Sequence, residues 1–429
     1  MASPSLSSPL RRPLFRRLAL SYAIDEVGDW MGIVALSVLV YDRTGSALAT
    51  ASLFLGTRFL PALFAPVLVA HAERPPPRFA LPVIFSGSAA ALALLALLAD
   101  QFSLAAVIAV ASIDGALTLS GRALTRAVVA TAMEPTGELR AANAVLNIAF
   151  TGGAAVGPAL AGLVVAGFGV QTALLLDAVS FYAIAWIIFS AGTIPQAKPE
   201  PGLMRNRVPA GLAYIREHTE LRRLLTAQGA AFVFFAAVLP IEVIYAKESL
   251  GTGDTGYGLM LSSWGAGMVL GSLIFARIRE TPLGYQLLFS TLGVGVGYIA
   301  LGFAPTLALA CAASVVGGAG NGVQWVAAIS AVQELTAEAM QARVMSVLES
   351  IGAAMPGVGF VLGGAIAGLT NPRSTFLIAG SGVIVIVALM APLLGTRWLK
   401  RDAPVDSSTL DATDAIVVEL LPGKIPGNP

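Results

Sequence analysis

The sequence predicts an all-α membrane protein of twelve transmembrane helices in two pseudo-symmetric six-helix bundles, and three observations predict it. Hydrophobic residues fill 56% of the 429 positions and charged residues only 12%. With a mean hydropathy of +0.79, that composition lies outside the range of soluble domains of this length. The apolar residues gather in about twelve stretches, each near the ~20 residues a helix needs to cross a bilayer's hydrocarbon core. Segments so long and uncharged leave water only if their backbone amides bond internally, which selects helices. Finally, one polar break separates six stretches from six.

In chain order the predicted helices are 15–41, 47–70, 79–99, 103–132, 141–167, 171–192, 221–247, 255–278, 283–303, 306–335, 343–369 and 373–396. The first follows Arg11 and Arg12 and runs well past the ~7–15 apolar residues of a signal peptide, so it is read as a span that stays. Pro75 to Pro77 stiffen the loop after the second. The break from Thr193 to Glu220 sets Pro195, Pro199, Pro201 and Pro209 among Lys, Arg and Glu, the signature of a linker. The domains are then a terminal segment 1–14, bundles 15–192 and 221–398 about a linker 193–220, and a tail 399–429 too poor in apolar anchors to fold.

Lys and Arg fall almost wholly on one side of these spans; only Arg43, Lys247 and Arg373 lie on the other. By the positive-inside rule both termini and the linker are cytoplasmic, in a multi-pass protein of the cell membrane. A net charge of +1 spread over segment ends gives no footing for nucleic acid. Cys311 is the sole cysteine, and His71 and His218 are the only histidines, so neither a thiolate cluster nor a zinc or iron site is expected. No GxxxxGK[ST] phosphate loop occurs. No cofactor, no metal and no enzymatic activity are expected, and the chain is expected to be a monomer.

Ionisable groups inside spans are costly, at least ~2.5–3.5 kcal/mol each, so each needs a partner, water or a role. Asp25, Glu26 and Asp29 share one stretch of the first helix, where three- and four-residue spacing makes a stripe with Tyr22 and Ile33 towards a central cavity. Counting 1.5 Å per residue puts Asp29 and Arg58 both ~17 Å deep, with Asp114 at similar depth. Asp29 and Arg58 are therefore expected to pair, with Asp114 competing for the cation. Asp25 and Glu26 are the preferred proton-binding groups, with Asp29 as a third coupling candidate. The alternative is that these acids pair with Arg58, Arg122 and Arg126 merely to hold helices together. Glu242, Trp264, Asn321, Gln324 and Trp325 join Tyr22 as candidates to line a substrate cavity, or equally to tie helices.

The halves are also alike in sequence. Val145 to Ala166 laid on Val347 to Gly368 matches about six of 22 positions, as a duplicated unit would. Gly28-Asp29-Trp30, Tyr41 to Ala47, Arg58, Pro61, Ala142-Asn143-Ala144 and Asp177 to Phe181 follow in an order and spacing that resemble the major facilitator superfamily. Within it the likeness is to the bacterial multidrug and siderophore exporters called transmembrane secretion effectors. Gly153, Gly157, Pro158 and Gly162 are similar to the antiporter motif of that superfamily's exporters, departing from it at Ala161. The same residues also suit plain small-residue packing. Glu73, Arg74 and Arg78 fall where the family's gating loop carries its acid and basic residues, although Val69 and Glu73 replace its glycine and aspartate. Arg122 and Arg126 resemble the basic position in its fourth helix, or snorkel to headgroups.

The resemblance implies a secondary active exporter of small lipophilic or amphipathic molecules, a drug, secondary metabolite or siderophore, working by alternating access with protons as the coupling ion. Its partners would be the lipid bilayer, the substrate and protons. An uptake symporter or facilitator of the same fold, or a non-transporting sensor or assembly partner, remains the alternative.

Overall fold

The computed structural model describes residues 7–196, 204–278 and 281–391. The expected unfolded tail 399–429 and the proline-rich middle of the linker lie outside the described residues, as does the end of the twelfth predicted helix.

Helix α1, Pro13–Thr44, starts on a proline whose missing N–H costs nothing there. It stops at Gly45, which takes a left-handed φ of 59° so that its N–H bonds the Tyr41 carbonyl. Helix α2 opens at Ala47, where the Ser46 hydroxyl accepts from the Ala49 N–H, and continues to Ala72. Its middle, Leu55–Phe59, winds as a π-turn carrying Arg58. The wider turn rotates the residues that follow, and the apolar pattern gives no warning of it.

Helices α3, Pro77–Leu98, and α4, Leu104–Met133, follow. The helical stretch Leu139–Phe189 breaks at Gly169, whose φ of 83° and ψ of 165° suit glycine alone. Its two parts, 139–168 and 170–189, are α5 and α6, close to the expected bounds. The linker holds an unexpected helix, Met204–Glu217. Val208, Tyr214 and Ile215 recur at helical spacing and pack on the starts of α7 and α11, an amphipathic pattern that the prolines and charges hid.

Helix α7 spans Thr219–Ser249, tightening to a 3-10 turn at Leu239–Ile241 around Pro240 and widening to a π-turn at Tyr245–Ser249. Then come α8, Gly253–Arg277, α9, Leu283–Phe303, α10, Leu307–Glu334, α11, Gln341–Leu369, and α12, Pro372–Met390. Asn371 caps α12 through the Ser374 N–H.

Among the described residues, ten helical stretches are long and apolar enough to cross a membrane, with Leu139–Phe189 counted once. Helix α1 is not one of them, since Arg16, Arg17, Asp25, Glu26 and Asp29 lie before its uncharged run Trp30 to Tyr41 and Asp42 and Arg43 directly after it. It packs along α5 and α6, which α3 also covers; α8 packs on α5 and α10, α9 on α10 and α12, and α7 on α11.

Candidate functional site: a buried charge cluster on the first helix

Four residues per step along α1 put Asp25 and Asp29 on one face, with Glu26 beside them. The Arg122 guanidinium of α4 sits among all three. It lies 2.6 Å from Asp25, 3.6 Å from Glu26 and 3.6 Å from Asp29. Arg58, delivered by the π-turn of α2, lies 2.8 Å from Asp29, the pairing that depth arithmetic suggested. Asp25 and Glu26 are only 2% and 1% exposed. Taking such charges from water is offset only where opposite charges and hydrogen bonds meet them closely.

Two further carboxyls complete the cluster. Asp114 of α4 and Asp177 of α6 share with Asp29, Arg58 and Arg122 the wall of a cavity of about 110 Å³. Neither makes an ion pair among the described residues, so Asp114 lies beside the cation rather than on it. Asp177 is buried, its side chain bonded by the Ser180 hydroxyl at 3.2 Å. It presses on α1 at Gly28 and Gly32, where an added Cβ would lie 2.3 Å and 3.1 Å from its carboxylate oxygens. Asp177 entered the sequence reading only as part of a family-like string. An acid inside an apolar span was the signal that could have singled it out.

The cavity is walled by α1, α2, α4 and α6 alone, whereas the stripe was expected to face a central space. At that volume it suits a few waters, well short of the ~300–1,000 Å³ of sites for drug-sized ligands. Arg126 is exposed, and its guanidinium donates to the Tyr22 hydroxyl at 2.6 Å and lies over that ring. Tyr22 itself is 3% exposed, so it lines no open surface.

The other substrate candidates divide. Gln324 is buried and donates to Gln228 at 3.0 Å, and Trp264 stacks on Tyr298 at 5.2 Å; both tie helices. Trp325 is exposed beside Phe232, and Asn321 is half-buried one turn before it. Glu242 is buried, with one carboxylate oxygen lacking a partner. The loop of Glu73, Arg74 and Arg78 is held by its backbone, since Gln196 donates to the carbonyls of Glu73 and Arg74, while Arg78 lies over Phe79.

Helix α5 stands between this cluster and the second half of the chain. On one face Gly153 abuts Glu26 and Gly157 abuts Trp30, an added Cβ lying 2.8 Å from the Cβ of each. On the other, Gly162 meets Gly258 of α8, and Gly265 of α8 meets the Ala154 backbone. The Ser262 hydroxyl of α8 accepts from the Ala159 N–H of α5, next to Pro158, at 2.7 Å.

Contacts between the two halves of the chain gather on the face opposite the N terminus. Tyr41 donates to Glu248, and Lys247 pairs with Asp42 while holding Asp254 at 2.8 Å. Deeper, Phe54 meets Phe360 at 5.5 Å and Ala51 sits against Gly364. The far face is therefore closed.

On the terminal face, Ser8 and Arg12 both bond Glu138 ahead of α5. Those bonds hold its carboxyl below the usual carboxylate range.

The sequence matches, over residues 4–413, the family described as transmembrane secretion effector. It is similar to the multidrug efflux pump Tap of Mycobacterium tuberculosis and of Mycobacterium bovis, at 26% identity over 88% of this chain and 93% of the relative. The fold is similar to that of the nucleoside transporter NupG, with a TM-score of 0.72 at 13% identity over 89% of this chain and 99% of that one. It is also similar to the human organic anion transporter MFSD10, with a TM-score of 0.61 at 17% identity over 89% and 100%.

Proposed function

The chain belongs to the transmembrane secretion effector family of major facilitator transporters, and on that premise we propose that it exports small lipophilic or amphipathic molecules in exchange for protons. Twelve spans form two six-helix bundles, α1–α6 and α7–α12, that rock about the substrate. Both termini and the linker helix face the cytoplasm. The closed far face is then the external gate, and the conformation is one open inward. The likeness to a named multidrug efflux pump supports the outward direction, as does the antiporter-like run on α5.

The observation that carries the coupling is the cluster itself. Five carboxyls, Asp25, Glu26, Asp29, Asp114 and Asp177, surround two guanidinium groups, Arg58 and Arg122. In a medium of low dielectric that excess of acid cannot all be ionised at once, so the cluster holds protons whose number changes when water or a partner reaches it. The acids of α1 exchange Arg122 among themselves, and Gly153 carries any motion of Glu26 into α5.

Inside-out vesicles test the reading with a fluorescent lipophilic cation, ethidium, as the probe. An imposed proton gradient should drive its accumulation. Asp25→Asn, Glu26→Gln and Asp29→Asn should each weaken that drive. Accumulation indifferent to the gradient, or gradient-driven movement in the uptake direction only, would replace antiport with facilitation or symport.

A further inference from the structure

We propose that in the conformation described here the transported protons reside on Asp114 and Asp177, while the three acids of α1 stay ionised in their ion pairs. The inference rests on the antiport reading above and says where in the cluster the cargo proton sits.

Geometry separates the five acids into two classes. Asp25 and Asp29 each have a guanidinium nitrogen within 2.8 Å, and Glu26 has one at 3.6 Å. For such a group protonation would forfeit a close ion pair and leave a buried cation unmatched. Asp114 and Asp177 have no such partner among the described residues. Asp177 is 1% exposed, and one Asp114 oxygen is buried without a hydrogen-bond partner. An ionised carboxylate in either position would have no cation at ion-pair distance, whereas a neutral carboxylic acid needs none.

The backbone has been shaped around one of them. Two glycines of α1, one turn apart, leave the hollow that the Asp177 carboxyl fills, and any side chain at Gly28 would collide with it. The charged groups that face the pair are Asp25 and Asp29 from α1, Arg58 from α2 and Arg122 from α4, and Ser88 of α3 faces Asp114. Both arginines line the same cavity as the two unpaired acids. Release is then a simple exchange. An O–H bond of Asp177 or Asp114 breaks, one forms on a water at the cavity mouth, and the new carboxylate takes Arg58 or Arg122 as α1 moves. Reprotonation from the other side returns the arginine to Asp29 or Asp25.

Infrared spectroscopy of the reconstituted protein at neutral pH reads this without a substrate, because a protonated carboxyl has a carbonyl stretch that a carboxylate lacks. Asp114→Asn and Asp177→Asn should each remove intensity from that band, and Asp29→Asn should remove none. Replacing a neutral acid by its amide should also leave the thermal unfolding midpoint unchanged, while Asp29→Asn should lower it. In the vesicle assay both variants should lose gradient-driven ethidium accumulation by about tenfold or more while keeping exchange down a concentration gradient. A band unaltered in both variants, or one removed by Asp29→Asn, overturns the assignment even if wild-type transport is proton-driven. Wild-type transport blind to the gradient sinks the antiport reading instead, whatever the band does.

Discussion

Closure of the far face depends on backbone meeting backbone at Gly258. A Cβ placed there would lie 2.3 Å from the Pro158 carbonyl oxygen and 3.0 Å from the Gly162 Cα. Neither obstacle can rotate away, so relief requires α5 and α8 to part by about 1 Å before ordinary contact distances return. Overpacking of this kind costs about 1–3 kcal/mol, and only the conformation closed on this face bears it. At 1.4 kcal/mol per factor of ten, Gly258→Ala should lower the ratio of far-face-closed to far-face-open molecules by ~5- to 150-fold. Gly265→Ala, whose Cβ would lie 2.2 Å from the Ala154 carbonyl oxygen, should act in the same sense. Spin labels at Gln171 and Thr255 would report a longer distance component appearing in both variants. Gly152→Ala, whose Cβ meets nothing within 4 Å, is the control. A distance distribution in Gly258→Ala that matches wild type, together with wild-type transport, would refute the claim that this crossing sets the gate.

Arg122→Gln removes the cation nearest Asp25 and Glu26 and leaves buried carboxylates unmatched, so stability should fall by about 3–5 kcal/mol; an unchanged unfolding midpoint in detergent would mean that those acids are already neutral. The external-side pairs are weaker. Lys247→Gln should shift the closed-to-open balance reported by the same spin labels by no more than about 1 kcal/mol, and high salt should reproduce the effect in the unmutated lock; a shift as large as that of Gly258→Ala would make the ion pairs, not the glycines, the principal latch. Glu138 has a folded-state value below its unfolded one of about 4.3. Its bonds to Ser8 and Arg12 are therefore in force above that pH and disappear as pH drops through the lower folded value. A label at Leu10 should stay immobile at pH 6 and become mobile only in stronger acid, whereas Glu138→Gln should free it at neutral pH; mobility changing near pH 6 would contradict this.

The all-helical, membrane-spanning character was legible because the apolar runs are long, and bilayer-spanning length is a coarse property that small errors do not disturb. The Asp29–Arg58 contact was legible for the same reason, since depth along a straight helix is simple arithmetic. What failed to show was everything that depends on which way a side chain faces. The π-turn that aims Arg58 changes no residue type. Arg122 and Arg126 sit near a helix end, where snorkelling is the ordinary expectation, yet Arg122 turns to the acids of α1, while Arg126 stays exposed and bonds Tyr22. Trp264 and Gln324 read as cavity polars because the sequence carries no record of their partners, Tyr298 and Gln228. The linker helix escaped notice because its apolar positions are few and lie among prolines and charges that usually mark irregular chain.

The glycines of α5 bring these observations together. A helix that merely needed close packing would satisfy itself with one small-residue face. This one has small residues on two: Gly153 and Gly157 towards the acid-bearing turns of α1, and Ala154 and Gly162 towards the gate-forming α8. With so little side chain between backbones, a displacement of α1 that changes which acid holds Arg122 cannot be absorbed by rotamers before it reaches α8. Conversely, separation of α5 from α8 takes away the support behind Glu26 and Trp30. On the antiport reading, these close contacts are the route by which protonation of the cluster would be linked to opening of the far face. Enlarging Gly153 should accordingly disturb proton dependence, and enlarging Gly258 the gate, with each substitution also felt at the other site. Double substitution then gives effects that do not add, because both act on one shared element; strict additivity of the two in the vesicle assay would show that α5 transmits nothing.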